Sequence, residues 1–181
     1  ALRGTHVTGT VTGGLVGGTA GGVNNTLAVY YNAARSSEIG DFAGVQNLHF
    51  YLGDAAANTA PTLLKLMNAG GDKDVSGLKV RVGRSGAAAK LQKGDTFTLM
   101  ENAAGNITGD AARVTGEGMD GVSRLYRFAV APDAANRNKL IATVTSVGFA
   151  EQAKSFVETR AGAAAFLGSG GDFLVETALP S

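Results

Sequence analysis

"LKVRVGRSGAAAKLQKGDTFTLM", Leu78–Met100, sets two short apolar runs on either side of a glycine- and alanine-rich break. Leu78, Val80 and Val82 alternate with Lys79 and Arg81, and Phe97 and Leu99 alternate with Thr96 and Thr98. A period of two sends successive side chains to opposite faces, so each run predicts a strand with one buried face. The break between them has the composition of a turn rather than of a crossover helix.

The same arrangement recurs on both sides. "TLAVYY" begins at Thr26, "VQNLHFYL" at Val45 and "TLLKLM" at Thr62, ahead of the runs at Leu78 and Thr96. The intervals run from 16 to 19 residues, about 17–18 on average. The intervening "RSSEIGDFAG", "GDAAANTAP" and "NAGGDKDVSG" are predicted to be turns. Strands at even spacing without helices fit a solenoid coil. A sandwich or barrel also fits, although its strands usually recur at roughly 8–12 residues. Before the ladder, "VTGTVTGGLVGGTAGGVNN" (Val7–Asn25) has glycine pairs every four residues and predicts tight turns between very short strands. After it, and beyond a looser stretch over 101–121, "RLYRFAVA" (Arg124–Ala131) and "KLIATVTSV" (Lys139–Val147) flank "PDAANRN" as a hairpin. A hairpin there would cap the open edge and core of a last coil.

The tail differs. From Glu151 the chain runs EQAKSFVETRAGAAAFL, with Ala153, Phe156, Val157, Ala161 and Ala164 on one helical face. Gly168, Gly170 and Gly171 would end that helix.

Bulk composition excludes several classes. The 181 residues carry a formal net charge of +1 with Lys and Arg scattered, which gives no electrostatic case for nucleic acid. With no Cys, disulfides, zinc–thiolate centres and cysteine nucleophiles are ruled out. No stretch approaches the roughly 20 apolar residues of a membrane-spanning helix. The start "ALRGTHVTGTVTGG" lacks the layout of a signal peptide, so the expectation is either an intracellular protein or the trimmed part of a longer one. The glycine-rich start lacks the spacing and the Lys of a phosphate loop.

Catalytic signals are weak. His6 and His49 are the only histidines, and "NLHFYL" has strand character with no nucleophile elbow anywhere. "GGDKDVSG" fails the calcium-loop patterns and is expected to be a turn. A polysaccharide-cleaving enzyme would need carboxylates gathered on one sheet face. Glu38, Asp41, Asp54 and Asp95 are expected mostly in turns, and Trp is absent. No catalytic residue, metal or cofactor is predicted.

From Asn25 to Leu174 the chain resembles the C-terminal end of a bacterial type V autotransporter passenger of the pertactin-like, AIDA-type adhesin kind. The phrases that carry the resemblance are "NTLAVYY…ARSSEIGDFAGVQNLHFYL", "LLKLMNAGGDKDVSGLKVRV", "LQKGDTFTLMENAAGNITG" and "LIATVTSV". The helix resembles the one that follows in that family through Gln152, Lys154, Glu158, Arg160, Ala161, Ala165, Phe166, Gly170 and Asp172. Gly168-Ser169 depart from the family's polar pair, and no Asn-Asn processing site follows.

The resemblance implies an all-β fold: a right-handed parallel β-helix with a C-terminal hairpin cap, then a short α-helix. It implies the glycine-rich end of upstream coils over 1–25, the final coils and autochaperone cap over 26–147, and a helical linker over 148–181 toward an outer-membrane β-barrel of the same polypeptide. The implied partners are the upstream coils and that barrel, with host-cell receptors or glycans as the alternative, on the surface of a Gram-negative bacterium. Phe50, Leu52, Leu64, Leu66, Val80, Val82, Phe97 and Leu99 are expected to point inward as the stacked folding core.

Overall fold

The protein is known from a computed structural model that describes residues 1–16, 19–20, 22–84, 90–109, 115–120 and 124–149. All regular structure among the described residues is β-strand. The helix expected after Glu151, and with it Gln152, Lys154, Glu158, Arg160, Phe166, Gly170 and Asp172, lies outside them.

The strands expected from period-2 alternation are present. They are β5 (Thr26–Tyr30), β7 (Asn47–Tyr51), β8 (Leu64–Leu66), β10 (Lys79–Gly83) and β11 (Thr96–Asn102). The two runs around "PDAANRN" form β14 (Arg124–Pro132) and β15 (Lys139–Phe149), paired antiparallel as expected.

Three stretches expected to be turns or loose chain contain strands. "RSSEIGDFAG" holds β6 (Ser37–Ala43), which is seven residues long. "NAGGDKDVSG" holds β9 (Lys73–Asp74), and the loose stretch after it holds β12 (Ile107–Thr108) and β13 (Thr115–Asp120). The first glycine-rich region begins with a long strand, β2 (His6–Thr12), before the short antiparallel pair β3 (Leu15–Val16) and β4 (Thr19–Ala20). β1 is Leu2–Arg3.

Local physics accounts for β6 being a strand. Its Ser37, Ile39, Gly40 and Phe42 face inward while Glu38, Asp41 and Ala43 are half-buried. Gly40 sits opposite a register shift between Val7 and Thr10, where an added Cβ would lie 2.6 Å from the Thr8 carbonyl oxygen. Such a bulge site admits only glycine, and that glycine is what makes the sequence look like a turn.

Two principal sheets result. The first has the order β1-β5-β7-β10 and is parallel throughout. The second runs β13-β14-β15-β11-β8-β6-β2 and is mixed: β2, β6, β8 and β11 are parallel, whereas β15, β14 and β13 add antiparallel. The chain enters the two sheets by turns, β5 then β6, β7 then β8, β10 then β11. A small parallel pair, β9 and β12, lies apart from both. The interval of about 17–18 residues therefore separates runs in different sheets as well as runs in the same one. Actual neighbours are further apart, Asn47 pairing with Lys79 and Leu64 with Met100.

The inner faces of both sheets meet in one cluster. In the first sheet Leu27, Leu48 and Val80 share a register row, and so do Leu2, Val29, Phe50 and Val82. In the second, Ser37, Leu64, Met100 and Leu140 form a row. Fully burying each large aliphatic or aromatic side chain contributes about 1.5–3 kcal/mol, so these rows dominate the favourable side of folding.

Candidate functional site

Two features stand out: the closed end of the core and the outer face of the first sheet. At the closed end, β11 is paired on one edge with β8 in parallel and on the other with β15 in antiparallel register. β14 and β13 extend the layer, and β13 also lies against β10, the last strand of the first sheet. The antiparallel layer thus reaches from the edge of one sheet to the edge of the other. It places Tyr126, Phe128 and Val130 of β14, and Leu140, Ala142 and Val144 of β15, in the same core as the parallel strands.

All eight core residues singled out from the sequence, Phe50, Leu52, Leu64, Leu66, Val80, Val82, Phe97 and Leu99, are buried in that one cluster. A shift in the β11–β15 register between Thr98 and Met100 lets the consecutive Leu99 and Met100 both be buried. Several polar groups that enter the core are partnered, whereas the buried Tyr126 hydroxyl has no hydrogen-bond partner among the described residues. The Asn102 side-chain amide donates to the carbonyls of Gly71 (2.8 Å) and Asn106 (3.2 Å). Lys73 Nζ donates to Asp41 and to the Phe42 carbonyl, both at 2.7 Å, and sits 4.0 Å from the centre of the Phe42 ring. The half-buried Asn25 amide spans the carbonyls of Gly13 and Gly44.

On the outer face of the second sheet one register row reads His6, Glu38, Lys65, Glu101, Lys139. Basic and acidic groups alternate across five strands, and His6 Nδ1 lies 3.1 Å from Glu38 Oε2. Glu38 and Asp41 therefore belong to a strand and not to a turn, which corrects the expectation for them. Glu38 and Glu101 stand two strands apart with Lys65 between, and a charge-compensated ladder is the simplest use of such a row.

The first sheet carries a different outer face. Its strands contain no Asp or Glu. Arg3, Tyr30, Tyr51 and Gly83 form one row, and Ala28, His49 and Arg81 the next. The Tyr30 and Tyr51 rings stack with centroids 4.5 Å apart and planes within 10°. Beyond Tyr51 the row continues with Gly83, where an added Cβ would lie 3.1 Å from the Tyr51 ring. The result is an open notch of about 180 Å³ lined by His49, Phe50, Tyr51, Arg81, Val82 and Gly83. Burial, and next the Arg81 charge, hold the His49 pKa below its ordinary 6.5. In the sequence His49 has the character of a plain strand histidine, and nothing local marks the tyrosines or Arg81. Their common signal is the outward position in the aligned runs "TLAVY", "NLHFY" and "KVRVG".

Among the described residues no group of three or more His, Cys, Asp or Glu could hold a metal ion. Nor is any described helix long and apolar enough to cross a membrane. No protein family, curated protein or solved structure matches the chain.

Proposed function

We propose that this chain is the C-terminal stem of an autotransporter passenger, made of the last coils of a right-handed parallel β-helix and their cap. Its task is to nucleate folding of a surface-displayed adhesin and so promote its secretion across the outer membrane. Residues 26–147 are the autochaperone, 1–25 join it to upstream coils, and 148–181 lead to the translocating barrel. The role is non-catalytic.

The observation that carries this reading is the antiparallel layer β15-β14-β13, which closes one end of both parallel sheets. At the other end, β1 and β2 each keep an edge without a strand partner among the described residues. One end is suited to stop a stack and the other to continue it. Parallel, non-local pairing is slow to start and exposes edges to aggregation, so a pre-capped end gives each added coil a template. Alternate entry into two sheets, with a third short parallel pair, supports the β-helix reading, since each coil then adds one strand to each sheet.

Deleting residues 26–147 from the secreted parent polypeptide tests the proposal. The expected result is loss of a protease-resistant passenger at the cell surface. Normal display of a resistant passenger would overturn it.

A second reading, an adhesion module, is favoured by the acid-free outer face with its stacked tyrosines.

A further inference from the structure

We propose that the notch beside Tyr51 binds an acidic saccharide, with a sugar ring lying on the free face of Tyr51 and its carboxylate on Arg81. The inference is independent of the folding role, and either can fail alone.

Three features define the site. The first is a flat apolar surface. One face of the Tyr51 ring is occupied by Tyr30, 4.5 Å away. The row then continues with Gly83, the one residue type with no side chain to cover the notch beside the ring. An aromatic face is the negative pole of the ring's quadrupole and attracts the polarised C–H groups of a sugar's flat side.

The second is an uncompensated cation. Arg81 is exposed on the same face of the same strand, two positions from Gly83, or about 6.6 Å along the strand. Among the described residues its side chain makes no ion pair or hydrogen bond, and the side chain of Lys79, two positions further, is in the same state. The four strands of this sheet contribute no carboxylate. A guanidinium left without a counter-ion beside an aromatic platform suits a ligand that brings its own carboxylate, which its planar fork can hold through two hydrogen bonds.

The third discriminates a saccharide from an acidic peptide. β10 is paired with β7 along its full length on one edge and has β13 lying against it on the other side, so the notch offers no open strand edge. A peptide would gain no main-chain hydrogen bonds there, which removes the usual source of affinity for extended segments. A ring with one carboxylate and several hydroxyls uses what the notch presents: a ring face, a guanidinium and the half-buried His49 imidazole.

The test uses the full chain and a galacturonic acid trimer as the probe, with galactose trimer and a glutamate-rich peptide as comparators. Binding is followed by backbone amide shifts and calorimetry. The expected result is saturable binding of the acidic trimer with shifts centred on Tyr51, Arg81 and Gly83. Arg81→Ala should weaken it roughly tenfold, the size of a lost charge-assisted hydrogen bond. Gly83→Val, which fills the notch, should weaken it comparably. Lys65→Ala, on the opposite sheet, should leave it unchanged. Amide spectra of each variant establish that the fold persists. The proposal is overturned if the neutral trimer or the peptide binds as well as the acidic trimer. It is equally overturned if Lys65→Ala weakens binding as much as Arg81→Ala, since attraction would then be a property of overall charge.

Discussion

Leu140 is the antiparallel partner of Met100, on the strand whose other edge holds Leu64 in parallel register. The three residues form one buried row, and the direction of pairing reverses between the second and the third. That reversal is where the parallel arrangement stops, and the folding role proposed for this chain depends on it.

Truncating Leu140 should therefore be expensive. Leu140→Ala removes a fully buried side chain from the junction of cap and core, and a loss of about 2–5 kcal/mol is expected. Leu2→Ala, in a two-residue strand with one neighbour at the other end, should fall at or below the bottom of that range. Urea unfolding of the two variants measures both.

A charge in the same region should be worse. Leu99 is fully buried in the apolar core cluster. Leu99→Asp should cost several kcal/mol or force the carboxyl to stay protonated. In the secreted parent polypeptide it should abolish the protease-resistant surface form. Wild-type secretion and melting of this variant would remove the case for nucleation in this region.

Gly40 and Gly9 make a matched pair. At Gly40 a Cβ would meet the Thr8 and Gly9 carbonyl oxygens at 2.6 and 2.9 Å, and backbone cannot swing aside as a side chain can. Gly40→Ala should destabilise by about 1–3 kcal/mol. At Gly9 a Cβ would meet nothing within 4 Å, so Gly9→Ala should be neutral or stabilise by about 0.5 kcal/mol through the unfolded chain. Thermal unfolding of the two variants gives the comparison.

The pH dependence follows from His49. Its folded pKa is below the unfolded 6.5, so the unfolded state binds the extra proton first. The stability it contributes is complete above pH 6.5 and declines as pH falls from there through the folded pKa. His49→Gln should flatten that part of the stability profile. In Arg81→Ala the His49 pKa should rise only part of the way back, because burial is the larger cause. Imidazole proton shifts followed across pH 4–8 check both statements.

The sequence was informative where one face of a strand is apolar and the other polar. β5, β7, β10 and the start of β11 have that alternation, and their runs could be located by it. β6 could not, because Gly40, Glu38 and Asp41 imitate a turn while serving a bulge, an outer charge row and the Lys73 contact. β2 is threonine-rich and mostly exposed, so no buried period marks it. The even spacing of the runs was visible, but not which runs become neighbours: pairing of Asn47 with Lys79 is set by sheet packing and not by local preference. For the same reason the notch was illegible. Tyr51 lies 30 and 32 positions from Arg81 and Gly83 and meets them only through register.

The most direct measurement of the central claim is pulse-labelling hydrogen exchange during refolding of the chain. Nucleation at the capped end predicts that amides of β11, β14 and β15 gain protection first, followed by β8 and β10, with β1, β2 and β5 last. Simultaneous protection throughout, or earlier protection of β2 and β5 than of β14 and β15, would contradict it.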